Sequence, residues 1–144
     1  MKPGEIYIVT TTRKERELER KAREKAEALG LKFVPRKGKS LDSLFNEYGA
    51  KAICVVAAGA PVVRTRAGKL FFHEGTSGRR IKTETPDPLA RAMGLEGGEK
   101  ILDCTLGLAC DALVAAAHAG DGGEVVGLER NLLLHTLVSD GLRE

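Results

Sequence analysis

The segment from Lys100 to Arg130 constrains the fold more than any other part of the chain. An apolar, buried strand is predicted to end at Asp103, and a second, over residues 125–128, is followed by Glu129. Between them lies a turn that contains Gly107 and leads into an apolar helix. This order predicts a parallel βαβ unit whose two acids lie beyond the carboxyl ends of the strands. The N–H groups at the start of the helix attract anions, so the segment predicts a ligand site.

The same segment and its continuation resemble class I S-adenosylmethionine-dependent methyltransferases. The closest resemblance is to the family that methylates a guanine N2 in small-subunit ribosomal RNA, with its uncharacterised Gram-positive relatives. That family has an Asp-x-Thr-x-Gly-x-Gly-x-Asp loop, a Leu-Glu-Arg-Asn strand end and a helix closing in Asp-Gly-Leu. Ala109 replaces the second glycine, and we expect it to narrow the space beside the cofactor. The matching residues are Asp103, Thr105, Gly107, Asp111, Leu128, Glu129, Arg130, Asn131, Asp140, Gly141 and Leu142.

The resemblance implies S-adenosylmethionine as the cofactor. Glu129 would accept hydrogen bonds from its ribose, and Asp103 would lie near its ammonium group. Arg79 and Arg80 would hold the methionine carboxylate or an RNA phosphate, whereas from spacing alone they are linker charges. The residues expected to bind the cofactor are Asp103, Thr105, Gly107, Leu108, Ala109, Asp111, Glu129, Arg130, Arg79 and Arg80.

No catalytic residue is identified by these patterns. A residue that takes up a proton from the target nitrogen would help the reaction, and Asp111 is the nearest candidate by motif. Capping of the following helix explains Asp111 equally well.

Composition limits the class of protein. With 144 residues, 42% of them hydrophobic, the chain is near the size of one domain and has enough apolar residues for a core. The absence of a long apolar run predicts no membrane segment and a cytoplasmic protein. Three cysteines without a CxxC pair predict reduced thiols. His118 and His135 lack acidic or cysteine partners at metal-ligand spacing, so no metal site is predicted.

Charge is distributed unevenly along the chain. Residues 1–85 contain 19 Lys and Arg against 10 Asp and Glu, whereas residues 86–144 contain 4 against 10. The basic half is a candidate RNA surface. Arg36, Lys37 and Lys39 form a compact basic loop that is the best candidate for phosphate contact, although a solvated surface loop is the alternative.

The first 85 residues predict a small N-terminal α/β domain for docking. Strands are expected over residues 5–11, 31–34 and 52–57, separated by helices over residues 13–29 and 41–48, with a hairpin over 59–74. Thr12 and Glu15 predict a capping box, and Ser40 predicts the second helix cap.

The link between the two predicted domains, 1–85 and 86–144, carries two further expectations. Residues 75–82, with two glycines and two hydroxyl side chains, predict a mobile loop. Asp87 and Pro88 predict a helix start, with Leu89, Ala92 and Met93 facing inward.

The resemblance also implies a seven-stranded sheet, of which residues 86–144 supply only the first two strands. We therefore expect a fragment, incomplete for catalysis alone, whose exposed sheet edges are completed by a homo-oligomer or by a complementing chain.

The function predicted is S-adenosylmethionine-dependent methylation of a guanine N2 in small-subunit ribosomal RNA. One alternative is a non-catalytic RNA-binding or assembly module, which suits the basic first half. The other is an NAD-dependent oxidoreductase, which shares the strand, turn and helix pattern, but of its GxGxxG motif only Gly107 is in place.

Overall fold

The computed structural model describes residues 4–12, 15–83, 85 and 87–143, apart from the side chain of Thr76. The chain forms two compact units. Unit 1 comprises Met1–Phe72 and Thr136–Glu144, and unit 2 comprises His73–His135. The predicted domain boundary after residue 85 stays a prediction.

Unit 1 contains one five-stranded sheet in the order β2-β1-β3-β4-β5. β1 is parallel to both β2 and β3, whereas β4 and β5 are antiparallel. The predicted α/β class is confirmed, and the predicted hairpin adds its two strands to the parallel sheet. The strands are β1 (Ile6–Thr11), β2 (Lys32–Phe33), β3 (Ala50–Val56), β4 (Val62–Thr65) and β5 (Gly68–Leu70).

Two helices, α1 (Arg16–Ala28) and α2 (Leu41–Tyr48), connect the parallel strands. The predicted cap of α2 is confirmed, because Ser40 Oγ accepts a hydrogen bond from the Ser43 N–H at 3.0 Å. The predicted capping box of Thr12 and Glu15 is wrong. Glu15 is itself the N-cap residue, without a side-chain cap. The Thr12 N–H instead donates to the Val56 carbonyl at 3.0 Å, so Thr12 continues the pairing of β1 with β3.

The core of unit 1 lies on both faces of β1 and β3. Ile8, Ile53 and Val55 form a buried cluster with Leu44 and Phe45 of α2. On α1, the predicted inward stripe is confirmed by the burial of Leu18, Ala22, Ala26 and Leu29. Continuous apolar strands are typical of sheets that are covered on both faces, as here.

Unit 2 is built around a parallel pair of strands, β6 (Lys100–Asp103) and β7 (Glu124–Gly127), connected by α5 (Cys110–Ala119). The predicted βαβ unit is therefore confirmed. It is preceded by the short helices α3 (Gly75–Ile81) and α4 (Pro88–Met93). The last helix, α6 (Leu132–Gly141), belongs to unit 2 up to His135 and to unit 1 from Thr136.

The prediction of a mobile loop over residues 75–82 is wrong, because α3 occupies most of this segment. Two side-chain hydrogen bonds, one from a residue before α3 and one from a residue within it, stabilise the start of the helix. His73 Nδ1 accepts from the Gly75 N–H at 2.6 Å, and Ser77 Oγ donates to the Glu74 carbonyl at 2.9 Å. Ser77 is also buried, so its small side chain allows close packing at that position.

The prediction that β6 is a buried strand is wrong for one of its faces. Leu102 is 60% exposed and Val126 is 46% exposed, whereas Ile101 and Val125 are partly buried. Neighbouring residues of a strand point to opposite faces. Helix α5 packs against one face of this pair of strands, the face of Ile101 and Val125. The other face, with Leu102 and Val126, is left exposed.

Helix α4 begins as predicted, since an Asp87 carboxylate oxygen accepts from the Leu89 N–H at 2.9 Å. Its predicted inward face is wrong in part. Ala90 is buried, whereas Ala92 and Met93 are exposed. Leu89 and Met93 line the cavity described below.

Candidate functional site

Asp103 closes the turn that follows β6. Its Oδ1 accepts a hydrogen bond from the Thr105 N–H at 2.9 Å, so the side chain stabilises the turn locally. The other carboxylate oxygen, Oδ2, accepts no hydrogen bond from the residues that the structure describes. A half-buried carboxylate at the end of a strand is thereby fixed in direction at the carboxyl edge of the pair.

Glu129 connects the end of β7 to the same turn. Its Oε2 accepts from the Gly107 N–H at 2.9 Å, and its Oε1 accepts from the Asn131 N–H at 2.6 Å. Gly107 has a φ of +56°, a left-handed conformation that favours glycine. The backbone pairing also continues past the strands, with the Leu128 N–H donating to the Asp103 carbonyl at 2.7 Å. The two acids are therefore joined through one turn, as the sequence predicts.

A cavity of about 500 Å³ opens beside this turn, and we refer to it as the β6 cavity. It combines polar groups of the turn with an apolar wall, which is the usual composition of a small-molecule site. Asp103 lines it, but Glu129 does not. Its lining residues are Leu89, Met93, Ile101, Leu102, Asp103, Cys104, Thr105, Leu106, Leu108, Cys110, Asp111, Ala112 and Ala115.

Arg80 joins three helices of unit 2 at the rim of the β6 cavity. Its guanidinium donates to both Asp87 oxygens, at 2.8 and 2.9 Å, and to Asp111 Oδ1 at 2.5 Å. It also reaches Cys110 Sγ at 3.7 Å. Asp87 is 4% exposed, and the Arg80 hydrogen bonds lower its pKa to about 2. The same partners raise the pKa of Arg80.

A family model with the description "Putative SAM-dependent methyltransferase" matches residues 63–144. The match covers more than half of the chain, including α3, α4 and the whole βαβ unit. The chain belongs to the S-adenosylmethionine-dependent methyltransferase family. The predicted recognition, the partial Rossmann-like fold and S-adenosylmethionine as the family's cofactor are thereby confirmed.

Three individual proteins are also similar in sequence to this chain. "Uncharacterized protein YpiP" of Bacillus subtilis is 30% identical over 138 residues, which are 94% of this chain and 54% of that protein. "Ribosomal RNA small subunit methyltransferase J" of Alkalilimnicola ehrlichii is 39% identical over 79 residues, 52% of this chain and 29% of that protein. The protein of the same name from Hahella chejuensis is 48% identical over 58 residues, 38% of this chain and 21% of that protein. The chain spans about half the length of the Bacillus relative, and less of the other two.

The family's second loop glycine is Ala109 in this chain, and its structure explains the preference for glycine. Ala109 has a φ of +62°, in the left-handed region, and is 2% exposed. Ala109 does not line the β6 cavity, and the predicted narrowing of the space beside the cofactor stays a prediction. The methyl group points into the protein, and the alanine costs backbone strain of about 1 kcal/mol.

The carboxylate groups of the site suit the family's cofactor. S-adenosylmethionine carries two cationic centres, and the β6 cavity places the carboxylate of Asp103 beside an apolar wall. Each Glu129 oxygen accepts one backbone hydrogen bond and has a second lone pair for a ribose hydroxyl.

The remaining predicted cofactor residues fall into two groups. Thr105, Leu108 and Asp111 line the β6 cavity. Arg79 and Arg130 are exposed, and Arg79 Nε donates to the Gly75 carbonyl at 3.2 Å, within its own helix. Direct binding of the cofactor by any of these side chains stays a prediction.

The closing Asp-Gly-Leu motif lies in unit 1. Asp140 forms an ion pair with Lys25 of α1. A Cβ atom at Gly141 would overlap the ring of Phe72. The aspartate and the glycine of this motif therefore have packing roles.

The predicted RNA loop also lies in unit 1, and two of its cations are engaged. Arg36 Nε donates to the Lys39 carbonyl at 2.7 Å, and Lys39 forms an ion pair with Glu47 at 2.6 Å. The hydrogen bond from Lys39 to the Glu47 carboxylate raises the pKa of Lys39. Lys37 occupies the turn with a φ of +46°.

The described part of the chain also bears on metal sites, membrane spans and thiols. It holds no group of three or more His, Cys, Asp or Glu side chains that could bind a metal ion. Its helices are too short or too polar to cross a membrane. Cys54, Cys104 and Cys110 are free, and burial raises the pKa of the Cys54 thiol to about 11.

Several cavity residues were not predicted from the sequence. The sequence pattern predicts Leu89 and Met93 as core residues, whereas both line the cavity from one face of α4. Cys110 and Ala112 gave no recognisable signal. Arg80 was predicted as a ligand of the cofactor, but its acidic partners, Asp87 and Asp111, were not.

Proposed function

We propose that this chain provides the cofactor-binding part of a methyltransferase that modifies a guanine N2 in small-subunit ribosomal RNA. The observation that carries the proposal is the junction of two strand-end acids, Asp103 and Glu129, at one glycine turn beside the β6 cavity. Two relatives named ribosomal RNA small subunit methyltransferase J support the choice of ribosomal RNA as the substrate.

In this proposal, each acid holds one portion of the cofactor. Asp103 faces the ammonium group of the methionine portion, since its Oδ2 is available as an acceptor. Glu129 accepts hydrogen bonds from the ribose hydroxyls. Its carboxylate is already oriented by the Gly107 and Asn131 N–H groups, so little conformational entropy is lost on binding.

The cofactor, when bound, supplies an activated methyl group on its sulfonium. The residues of this chain bind and orient it, and the apolar wall of Leu89, Met93 and Leu108 excludes water from one side. Asp111 is held by Arg80 at 2.5 Å. We therefore assign Asp111 to positioning the start of α5 rather than to proton acceptance.

Calorimetry with S-adenosylhomocysteine tests the cofactor site. Asp103→Asn and Glu129→Gln each remove a charge while keeping an acceptor oxygen, and we expect each to weaken binding about tenfold, or about 1.4 kcal/mol. Asp121→Asn is the matched control, because Asp121 is an exposed acid in the loop before β7. Failure of the unaltered chain to bind, or equal affinities in all variants, would contradict the proposed site.

The same titration with NAD separates the oxidoreductase alternative. We expect no heat of binding, because the turn offers Gly107 but lacks the glycine pattern for a pyrophosphate. Binding of NAD in preference to S-adenosylhomocysteine would overturn the proposal.

A transfer assay tests the substrate. Small-subunit ribosomal RNA is incubated with the chain and S-adenosylmethionine carrying a labelled methyl group, and the nucleosides are identified by mass spectrometry. We expect N2-methylguanosine from an active preparation, with or without a complementing chain. Cofactor binding without any methylated nucleoside would favour the non-catalytic RNA-binding module.

A further inference from the structure

Unit 1 contains a second cavity, of about 360 Å³, on the side of the sheet that α2 covers. We call it the basic cavity. Three of its described lining residues are cations and none carries a carboxylate. The lining residues are Thr12, Arg36, Leu41, Val55, Ala57, Val62, Arg64 and Lys69.

Within the described part of the chain, no carboxylate pairs with a cation of the basic cavity, whereas some other cations of unit 1 have such a partner. Lys25 pairs with Asp140, and Lys39 pairs with Glu47. Among the described residues, by contrast, the Arg64 side chain takes part in neither a hydrogen bond nor an ion pair. The Lys69 Nζ lies 4.8 Å from the centroid of the Phe71 ring.

Arg36 is oriented without being neutralised. Its Nε donates to the Lys39 carbonyl at 2.7 Å, and its Nη1 donates to the Thr11 carbonyl at 3.4 Å. Backbone carbonyls hold the guanidinium in place and leave its charge available for an anion. Such prior orientation reduces the entropy lost when an anion binds.

Arg64 and Lys69 occupy directly opposite positions on β4 and β5. Like charges at such cross-strand positions repel and destabilise a sheet. An anion held between them would convert that repulsion into attraction.

The location and floor of the basic cavity indicate the kind of anion. Thr12 and Ala57 follow the carboxyl ends of the parallel strands β1 and β3, where ligands of open α/β sheets bind. Leu41, Val55 and Val62 provide an apolar floor beside the cations. This combination suits a phosphate attached to a flat apolar group, as in a nucleotide.

We propose that the basic cavity binds a phosphate of the RNA substrate, with the adjoining nucleoside against its apolar floor. The proposal rests on the proposed function for its choice of RNA. It moves the RNA contact from the loop of Lys37 and Lys39 to Arg36, Arg64 and Lys69.

Fluorescence anisotropy with a labelled hairpin of small-subunit ribosomal RNA tests the proposal. The variants are Arg64→Gln, Lys69→Gln and the double variant of the full chain. The control is Lys51→Gln, which removes the same charge from an exposed position of β3 outside the cavity. We expect the double variant to bind about tenfold more weakly and the control to stay within about twofold of the unaltered chain.

Salt dependence adds a second readout. Each lost phosphate contact lowers the slope of log affinity against log salt concentration by about 0.7 to 0.9. We expect this reduction in the double variant and not in Lys51→Gln. Equal affinity and equal slope in the double variant and the unaltered chain would overturn the proposal.

Thermal unfolding without RNA checks that the variants fold. Because either substitution relieves the repulsion between positions 64 and 69, we expect the midpoint to stay equal or rise. A folded Lys69→Gln variant with unchanged RNA affinity and slope would count against the proposal even if the double variant unfolds.

Two further titrations separate this proposal from its neighbours. Uridine monophosphate, tested with the same variants, distinguishes a free nucleotide. If Arg64→Gln weakens the binding of uridine monophosphate but leaves the RNA affinity unchanged, the assignment of the basic cavity to RNA is overturned. S-adenosylhomocysteine affinity should be unchanged in the double variant. If the unaltered chain binds RNA through Arg64 and Lys69 but not S-adenosylhomocysteine, the proposed function fails while the basic cavity stands.

Discussion

The two sheets of this chain differ in how completely they are buried. In unit 1, β1 and β3 are covered on both faces, and Ile53 and Leu44 are fully buried. In unit 2, the pair β6 and β7 has α5 on one face, while Leu102 and Val126 lie exposed on the other. Burial of apolar area is the main source of folding free energy. We therefore expect unit 1 to contribute most of the folding stability, whereas the predicted cofactor site lies in the less buried unit 2.

The exposed face of β6 and β7 also bears on assembly. The predicted homo-oligomer or complementing chain, which would complete the sheet at the exposed edges of β6 and β7, stays a prediction. Multi-angle light scattering tests the first of these, with a mass above that of one chain as the expected result.

The largest expected effect comes from the core of unit 1. Leu44→Ala should lower the free energy of unfolding by about 3 kcal/mol, because a fully buried leucine leaves a cavity when truncated. Leu102→Ala is the matched variant in unit 2 and should change it by less than about 0.5 kcal/mol. Urea unfolding measures both. Equal losses would remove the distinction between the two sheets.

A smaller effect is expected from acid, and it belongs to unit 2. Asp87 has a pKa of about 2 when folded, below its ordinary value of 3.8, because Arg80 donates two hydrogen bonds to it. The unfolded chain therefore binds more protons than the folded chain between these pH values. The contribution of the Asp87 carboxylate to folding stability is present above about pH 4 and is lost as the pH falls toward 2.

Urea unfolding between pH 4 and pH 2 measures this contribution. Asp87→Asn should be less stable than the unaltered chain at pH 5, and its stability should fall less steeply with acid. Asp121→Asn, an exposed control, should follow the unaltered chain. Parallel curves for Asp87→Asn and the unaltered chain would show that the Arg80 network does not stabilise the fold.

The smallest effect is expected at Ala109. Ala109→Gly relieves the left-handed strain at φ +62°, but it removes a buried methyl group and increases the entropy of the unfolded chain. The free energy of unfolding should change by less than about 1 kcal/mol, and S-adenosylhomocysteine affinity should stay within about twofold. A several-fold gain in affinity would show that the methyl group does restrict the cofactor site.

Local patterns predicted the parts of the fold that neighbouring residues determine. The ends of β6 and β7, with Asp103 and Glu129 beyond them, follow from apolar runs bounded by acids. The cap at Ser40 likewise needs only its own helix turn.

Contacts between distant residues explain what the sequence did not predict. Thr12 caps no helix because its N–H pairs with Val56, far along the chain. Arg80 was assigned to a ligand because Asp87 and Asp111 could not be recognised as its partners before the helices were packed. The basic cavity likewise depends on the docking of the hairpin against β3, which places Arg64 and Lys69 near Arg36.

The most direct test of the account is a titration of the isotope-labelled chain with S-adenosylhomocysteine, followed by amide chemical shifts in NMR spectra. The account predicts large shifts at Thr105, Gly107 and Asn131, whose N–H groups bind the two acids, and none at Ile53 in the core of unit 1. Shifts confined to unit 1, or no shifts at saturating concentration, would contradict a cofactor site at the ends of β6 and β7.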